Sequence, residues 1–251
     1  MSGIEVTALQ ALLIALAFVF GGVVKGAAGF GLPLITISLM PLFIPLDLAL
    51  ALNTLVVPLT NIAQFVAAGG YRRSFEICWP LIAGLCITVF ITAVFVVSIT
   101  PATLSAVMGV LLLAYVLHAF MGRGVRISTG AMRPASFVAG LAGGIVGAVM
   151  TAPGPVYAAF LFGLRLERRQ LISAMGLAML ASGILVTGAF AAVGILDGPR
   201  ALMSLVCVAF GLFGMWLGDR IGQRISVEGF NRMILVMLLG LGLYHCGRGF
   251  L

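Results

Sequence analysis

The sequence predicts an all-α integral membrane protein with two inverted-topology repeats, each a broken-helix hairpin followed by three transmembrane helices. Composition is the first observation behind this fold class, because 62% of the 251 residues are hydrophobic and only 8% are charged. Soluble domains average about 25% charged residues, and a soluble fold of this size has too little interior to hide so much apolar surface. Lipid is therefore the expected solvent. The other two observations are two interruptions rich in glycine and proline, and the distribution of arginine among the loops.

Six uninterrupted apolar segments are each long enough to cross a bilayer, which takes about 20 residues in a helix. They comprise residues 46–68, 78–98, 103–121, 170–193, 200–217 and 227–246. Three precede and three follow a short polar stretch, residues 122–133, which we interpret as a cytoplasmic linker. The chain accordingly divides into a first repeat, 1–121, and a second, 134–251, within one membrane domain.

Two further apolar regions, residues 6–44 and 134–164, are interrupted by dense glycine and proline. The first contains GGVVKGAAGFGLP and the second contains GGIVGAVMTAPGP. These residue types disfavour a continuous helix, and unwound backbone inside a membrane is tolerated only where protein covers it or where it lines a cavity. We therefore expect each region to form a hairpin of two short helices that meet at the break.

Arginine is concentrated in four loops, and such loops face the cytoplasm in most membrane proteins. These arginines are Arg72, Arg73, Arg123, Arg126, Arg133, Arg165, Arg168, Arg169, Arg220 and Arg224. The loops near Pro45, Thr100 and residues 197–199 carry at most Arg200 and should face outward. Each half then crosses an odd number of times, which inverts the second half and places both termini outside. Inverted repeats with matching broken helices are typical of secondary transporters.

The interrupted segments carry a family resemblance. The stretch GGVVKGAAGFGLPLITISLM, its counterpart GLAGGIVGAVMTAPGPVYAAFLFGL and the overall length resemble the TauE/SafE family of membrane transporters, often called sulfite exporters. The resemblance extends from about Leu12 to the C-terminus. It implies transport of a small sulfur-containing anion such as sulfite, a sulfonate or thiosulfate, without fixing the substrate or the direction. Some related thiosulfate transporters have Cys-Pro-Cys loops, whereas the breaks here contain no cysteine, so we expect no thiol relay.

An anion inside a membrane loses most of its hydration, so the protein must supply hydrogen-bond donors and positive charge. The N-terminus of a helix supplies both. Proline suits the first turn of a helix, and glycine lets the backbone approach a ligand closely. We therefore expect the half-helices that start near Leu32 and Pro155 to point at one central site. The residues of the breaks assigned to this site are Gly29, Gly31, Pro33, Pro153, Gly154 and Pro155.

Lys25 is the only lysine in the chain, and it lies between apolar stretches beside the first break. One interpretation is a cation that faces the anion or couples its own protonation to transport, since ionisable residues within membranes are functional candidates by default. The alternative is a side chain that snorkels to the membrane interface. The sequence leaves both open.

Polar residues also mark the segment after the first hairpin. Asn53, Asn61 and Gln64 lie on one helical face and could donate amide hydrogen bonds to the substrate, or they could join helices to one another. Beside the second break, Thr151 and Tyr157 offer hydroxyl donors, although Tyr157 could equally be a packing residue. Phe30 could form a gate or simply pack.

The function predicted from these features is a secondary transporter in the bacterial inner membrane, and a channel-like anion pore is the alternative. An enzyme is not expected, because the membrane segments contain no metal-binding cluster or nucleophile–histidine arrangement, and no cofactor or metal is expected.

The net charge of +7 comes from arginines in short loops that meet lipid headgroups, so nucleic-acid binding is not expected. Glycine-rich faces, such as residues 140–147, could pack against a second copy in a homodimer or within one chain.

Overall fold

The computed structural model describes residues 6–121, 126–222 and 227–250, and the side chains of 227–231 and 249–250 are outside the description. Part of the predicted linker, 122–125, both extreme termini, and the predicted cytoplasmic residues Arg123 and Arg224 therefore lie outside the described residues. Ten α-helices form the described part of the chain: α1 (Ala8–Ala28), α2 (Leu32–Leu39), α3 (Leu46–Ala68), α4 (Tyr71–Ser98), α5 (Pro101–Met121), α6 (Met132–Met150), α7 (Gly154–Gly163), α8 (Arg168–Ala192), α9 (Gly198–Gly222) and α10 (Val227–Phe250).

Seven of these helices are long and apolar enough to cross a membrane, among the residues described. They are α1, α3, α4, α5, α6 together with the preceding 3-10 turn, α8 and α9. The chain is an all-α integral membrane protein, which confirms the predicted class. The inverted relation of the two halves, and the boundaries of the repeats, stay predictions.

The helix breaks are shorter than the sequence predicted. α1 continues through Gly21, Gly22 and Gly26, and the chain leaves helical geometry only between α1 and α2. These glycines do not break α1 because they let another helix approach it. A methyl group on Gly22 would lie 2.4 Å from the carbonyl oxygen of Gly211 on α9. The expected hairpin of two short helices is therefore wrong in the length of its arms: α1 has 21 residues and α2 has 8.

The second interruption shows the same difference for the same reason. α6 runs to Met150, and its glycines face neighbours in this chain. A methyl group on Gly140 would lie 2.0 Å from the carbonyl oxygen of Leu81 on α4, and one on Gly144 would lie 2.0 Å from Thr88 Oγ1. The glycine-rich face thus packs within the chain, and the homodimer stays a prediction with no support from this face.

Helix α3 lies at the centre of the bundle and is the most buried of the seven spans. It packs against α8 and α9, while α1 packs on α9, α4 on α6 and α8, and α5 on α10. Pro58 lies inside α3 and has no N–H to donate to the carbonyl of Thr54. The hydroxyl of Thr187 on α8 lies 3.2 Å from that carbonyl, while its shorter contact, at 2.6 Å, is with the carbonyl of Gly183 in its own helix. Gly183 on α8 makes the approach possible, since a methyl group there would lie 2.6 Å from Pro58 Cδ.

The two ends of the bundle differ. At one end, here called the cavity end, a cavity of about 1060 Å³ is lined by the α2–α3, α4–α5 and α8–α9 connections and by Arg248. At the opposite end, Arg169 Nε donates to the carbonyl of Ala68 at 2.7 Å, and Gln170 Nε2 donates to Ser74 Oγ at 3.0 Å. Hydrogen bonds therefore join α3, α4 and α8 at the opposite end.

Candidate functional site

The first break comprises residues 29–31 and depends on two glycines. Gly29 has φ 84° and its N–H caps α1 by donating to the carbonyl of Lys25 at 2.7 Å. Gly31 has φ 111° and precedes the first residue of α2, in which Pro33 occupies the second position. Side chains on L-residues disfavour this left-handed region, so glycine is what lets the chain turn from α1 into α2 within three residues.

The second break comprises residues 151–153 and is built differently. Thr151 ends α6 in the left-handed conformation with φ 50°, which is uncommon for a residue other than glycine. Pro153 precedes α7, and Gly154 and Pro155 are its first two residues. The N–H groups of Val156 and Tyr157 both donate to the carbonyl of Pro153, at 3.0 and 3.2 Å, and Pro155 has no N–H. The backbone donor left at the start of α7 is therefore the N–H of Gly154, at the positive end of the helix dipole.

The two breaks touch each other at Phe30 and Gly154. A methyl group on Gly154 would lie 3.6 Å from Phe30 Cδ2 and 3.9 Å from Phe30 Cβ. The same position would lie 3.8 Å from the sulfur of Met179 on α8. The aromatic ring of Phe30 therefore covers the start of α7, which is compatible both with packing and with a gate.

Lys25 lies inside the bundle and is only 2% exposed. Its Nζ donates a hydrogen bond to Thr60 Oγ1 at 3.0 Å, and this hydroxyl in turn donates to the carbonyl of Val56 at 2.7 Å. Among the residues that the structure describes, no carboxylate lies within 4.0 Å of the ammonium group. Snorkelling would place the ammonium at the lipid headgroups, whereas here it contacts a buried residue in the second half of α3.

The polar face of α3 contacts both members of the first hairpin. Gln64 Nε2 donates to the carbonyl of Gly29 at 3.1 Å. Asn53 Oδ1 accepts a hydrogen bond from Thr36 Oγ1 of α2 at 2.5 Å. Asn61 is buried and donates to the carbonyl of Val57, within its own helix, at 2.7 Å. In this conformation Asn53 and Gln64 join α3 to the first hairpin. This agrees with the second interpretation drawn from the sequence, that these side chains join helices to one another.

Thr151 and Tyr157 are both buried, but they differ in their partners. Tyr157 OH shares a hydrogen bond with Ser182 Oγ of α8 at 2.5 Å. The hydroxyl of Thr151 has no hydrogen-bond partner in the described part of the chain, although the residue is only 2% exposed. Buried polar groups are almost always hydrogen-bonded, so a free donor at this break indicates a place for a ligand or a water molecule.

Three residues of this region were not assigned to the site from sequence. Thr60 was visible on the polar face of α3, but nothing local indicated that it holds Lys25, 35 residues away. Ser182 resembled a small residue at a helix contact, and Thr36 carried no signal beyond being polar in an apolar segment. Among the described residues, no group of three His, Cys, Asp or Glu side chains is placed to hold a metal ion.

Comparison with known proteins yields one match. The sequence model of a family described as "Sulfite exporter TauE/SafE" matches residues 13–245, which is nearly the whole chain and includes both breaks. No curated protein matches the chain, and no solved structure matches it.

Proposed function

This chain belongs to the sulfite exporter TauE/SafE family, a family of membrane transporters for sulfite or related anions, and we propose that it is a secondary transporter whose anion binds between the two breaks. The observation that carries the proposal is Lys25, a buried cation with no carboxylate within 4.0 Å among the described residues. Burying a charge without a counter-charge is unfavourable. A small anion held beside Lys25 would supply the missing charge.

The breaks support this location. The N–H groups of Gly31 and Gly154 make no backbone hydrogen bond among the described residues, and the two breaks lie next to each other at Phe30 and Gly154. Dehydrated sulfite or sulfonate oxygens need several such donors. The residues proposed to form the site are Lys25, Gly29, Phe30, Gly31, Pro33, Asn53, Asn61, Gln64, Thr151, Pro153, Gly154, Pro155 and Tyr157.

An inverted repeat is part of the proposal, and the packing supports it. When each helix of α1–α5 is replaced, in order, by its counterpart in α6–α10 and vice versa, the packing of α1 on α9 corresponds to that of α6 on α4. The packing of α3 on α9 likewise corresponds to that of α8 on α4, and all four pairs are in contact. In the pairs α3 with α8 and α5 with α10, the two helices are each other's counterparts, so the exchange leaves these contacts unchanged. This pattern is expected when two similar halves are related by a two-fold axis, as in transporters that expose one site alternately to each side.

The orientation follows from the arginines. The end that contains Arg169 and Gln170 carries the arginine-rich loops, so we propose that it faces the cytoplasm, and that the cavity end faces outward. The cavity lies at the proposed outer end, and hydrogen bonds join α3, α4 and α8 at the proposed cytoplasmic end, which supports an outward-facing conformation.

Transport by purified protein in liposomes tests the proposal and separates it from the channel-like alternative. The initial rate of uptake or release of radiolabelled sulfite is measured against its concentration, with protein-free liposomes as the control. A rate that saturates, and that is accelerated by unlabelled anion on the opposite side, is expected of a transporter. A rate that rises linearly with concentration and shows no such exchange would instead indicate a pore.

A further inference from the structure

His245 is a fully buried titratable side chain that the proposed anion site does not use. It lies near the end of α10, where its ring contacts two other helices. Nε2 lies 3.0 Å from the carbonyl oxygen of Ser38 on α2, and Nδ1 lies 3.0 Å from Ser105 Oγ on α5. Since α2 is the second arm of the first hairpin, His245 joins that hairpin to the rest of the bundle.

These two contacts determine which ring nitrogen carries the proton. A carbonyl oxygen only accepts hydrogen bonds, so Nε2 must be protonated and donate to Ser38. In a neutral ring Nδ1 is then an acceptor, and the hydroxyl of Ser105 donates to it. Arg248, three residues later on α10, donates to the carbonyl of Pro41 at 2.9 Å. The end of α10 therefore holds α2 and the turn that follows it through two donated hydrogen bonds.

α10 is held more firmly by α5 than by α2. A methyl group on Gly109 of α5 would lie 2.6 Å from the backbone nitrogen of Cys246, so the backbones of α5 and α10 approach closely. The packing of α10 on α5 is also far more extensive than its packing on α2. If the contacts around His245 were lost, α2 would therefore separate from α10 while α5 and α10 stayed together.

A proton can reach His245 from the cavity end of the bundle. Ser105 is among the residues that line the large cavity there. Because a hydroxyl group both donates and accepts, Ser105 Oγ can give its proton to Nδ1 and take another from a hydronium ion in the cavity. One side chain thus connects the buried ring to the solution at this end.

The cation formed in this way has no counter-charge at hand. Among the residues that the structure describes, no carboxylate lies within 4.0 Å of the ring. Arg248 is a neighbour on the same face of α10, and α2 contains no titratable residue. The other titratable or charged groups near the ring, on the helices around it and in the cavity are Tyr244 and Cys246 on α10, Tyr115 and His118 on α5, Lys25 on α1, and the paired Asp47 and Arg200 in the cavity. A second positive charge beside Arg248 is unfavourable while the ring is buried, and water relieves this cost when the ring is exposed.

We propose that His245 is a proton-binding site reached from the cavity end through Ser105, and that a proton bound there releases α2 from α10. The neutral ring holds α2 in the position seen here, whereas the cationic ring favours conformations in which α2 has moved away. Because such coupling is reciprocal, movement of α2 would in turn favour uptake of the proton. This inference goes beyond the proposed function, since it depends on the contacts of His245 and not on an anion beside Lys25.

Nuclear magnetic resonance of isotope-labelled histidine in the purified full chain tests the proton site. His118 is the only other histidine, and its side chain is exposed, so His118→Gln leaves His245 as the only source of ring signals. We expect the neutral ring with its proton on Nε2 at about pH 8, and a doubly protonated ring that appears as the pH is lowered to about 5. Adding Ser105→Ala should move the Nδ1 signal to that of a nitrogen without a hydrogen bond. A ring that stays neutral at about pH 5, or a neutral ring with its proton on Nδ1, would overturn the proposal.

Hydrogen–deuterium exchange tests the release of α2. Exchange of residues 32–44 is corrected for the intrinsic effect of pH and compared with that of residues 46–68 in α3. In the parent protein we expect the protection of 32–44 to fall by about tenfold or more between about pH 8 and about pH 5, with α3 unchanged. His245→Gln is the matched variant, because its amide can donate to the Ser38 carbonyl but does not titrate, and it should show no such fall.

Two results would overturn the release of α2. One is an equal loss of protection in His245→Gln. The other is unchanged protection of 32–44, relative to α3, in parent protein whose ring is doubly protonated. The second comparison is made within the parent protein, so it decides the question even if His245→Gln does not fold.

Discussion

The side chain of Lys25, near the end of α1, donates a hydrogen bond to Thr60 Oγ1 on α3 at 3.0 Å, deep inside the helix bundle. The hydroxyl of Thr60 in turn donates a hydrogen bond to the carbonyl of Val56. This arrangement places a positive charge beside two helix breaks that touch each other.

The first prediction concerns the stability of the protein without substrate. Replacing Lys25 by methionine removes a buried charge that has no carboxylate within 4.0 Å among the described residues, while keeping the length of the side chain. We expect Lys25→Met to stabilise the substrate-free protein by about 1 kcal/mol or more, because the charge no longer has to be desolvated. The measurement is the thermal unfolding midpoint in detergent. Arg72→Met is the control, since the Arg72 side chain is 96% exposed. A large loss of stability in Lys25→Met alone would show that Lys25 is a structural residue.

The second prediction concerns the left-handed backbone of the first break. A methyl group on Gly29 would meet no atom within 4 Å, so the effect of Gly29→Ala is set by its φ of 84°. We expect a destabilisation of about 1–2 kcal/mol. Gly198→Ala is a matched control, because that site also has open space but no positive φ. Unfolding midpoints that fell equally in both variants would contradict the role assigned to Gly29.

The third prediction concerns Gly143, which α6 places against the ring of Tyr157. A methyl group there would lie 2.2 Å from Tyr157 Cε1, so the ring would have to move and its bond to Ser182 would be lost. We expect Gly143→Ala to destabilise the protein by about 1–3 kcal/mol, measured by thermal unfolding. Gly240→Ala on α10, where the added methyl meets nothing within 4 Å, should have little effect. An unchanged midpoint in Gly143→Ala would mean that Tyr157 packs elsewhere.

The fourth prediction concerns the membrane topology. Single cysteines are introduced at Gly198, the first residue of α9, and at Gly130, between α5 and α6, after the four native cysteines are replaced; both positions are open and they lie at opposite ends of the bundle. Because the arginine-rich end is proposed to face the cytoplasm, a membrane-impermeant maleimide should label residue 198 in intact cells and residue 130 only after lysis. Labelling of both positions in intact cells, or the reverse pattern, would contradict the orientation.

The sequence predicted helices better than it predicted breaks. The bounds predicted for α3, 46–68, are those of the structure. A continuous apolar segment of membrane-spanning length satisfies its own backbone hydrogen bonds when it forms a helix, so its structure follows from its length and composition. The breaks were predicted too long, because a glycine that ends a helix and a glycine that admits a neighbouring helix look alike in sequence. Gly22 and Gly144 are of the second kind, and their neighbours are far away in the chain.

The candidate site was predicted as a set of residues but not as a geometry. Lys25 stood out because it is the only lysine, yet its contact with Thr60 joins positions 35 residues apart and could not be derived from a local pattern. Likewise, the position of His245 near the end of α10 does not reveal its partners. The structure buries it between α2 and α5, where its ring nitrogens contact the carbonyl of Ser38 and the hydroxyl of Ser105, both at 3.0 Å.

The central claim is that a sulfur-containing anion binds beside Lys25, and substrate binding to the purified protein tests it most directly. The rise in the unfolding midpoint with sulfite, sulfate, thiosulfate, taurine, sulfoacetate and a carboxylate control is measured for the parent protein, Lys25→Ala and Arg72→Ala, since a ligand that binds only the folded state raises this midpoint. We predict stabilisation by at least one sulfur anion in the parent protein and in Arg72→Ala, and none in a folded Lys25→Ala. Undiminished stabilisation of Lys25→Ala by the same anion would contradict the account.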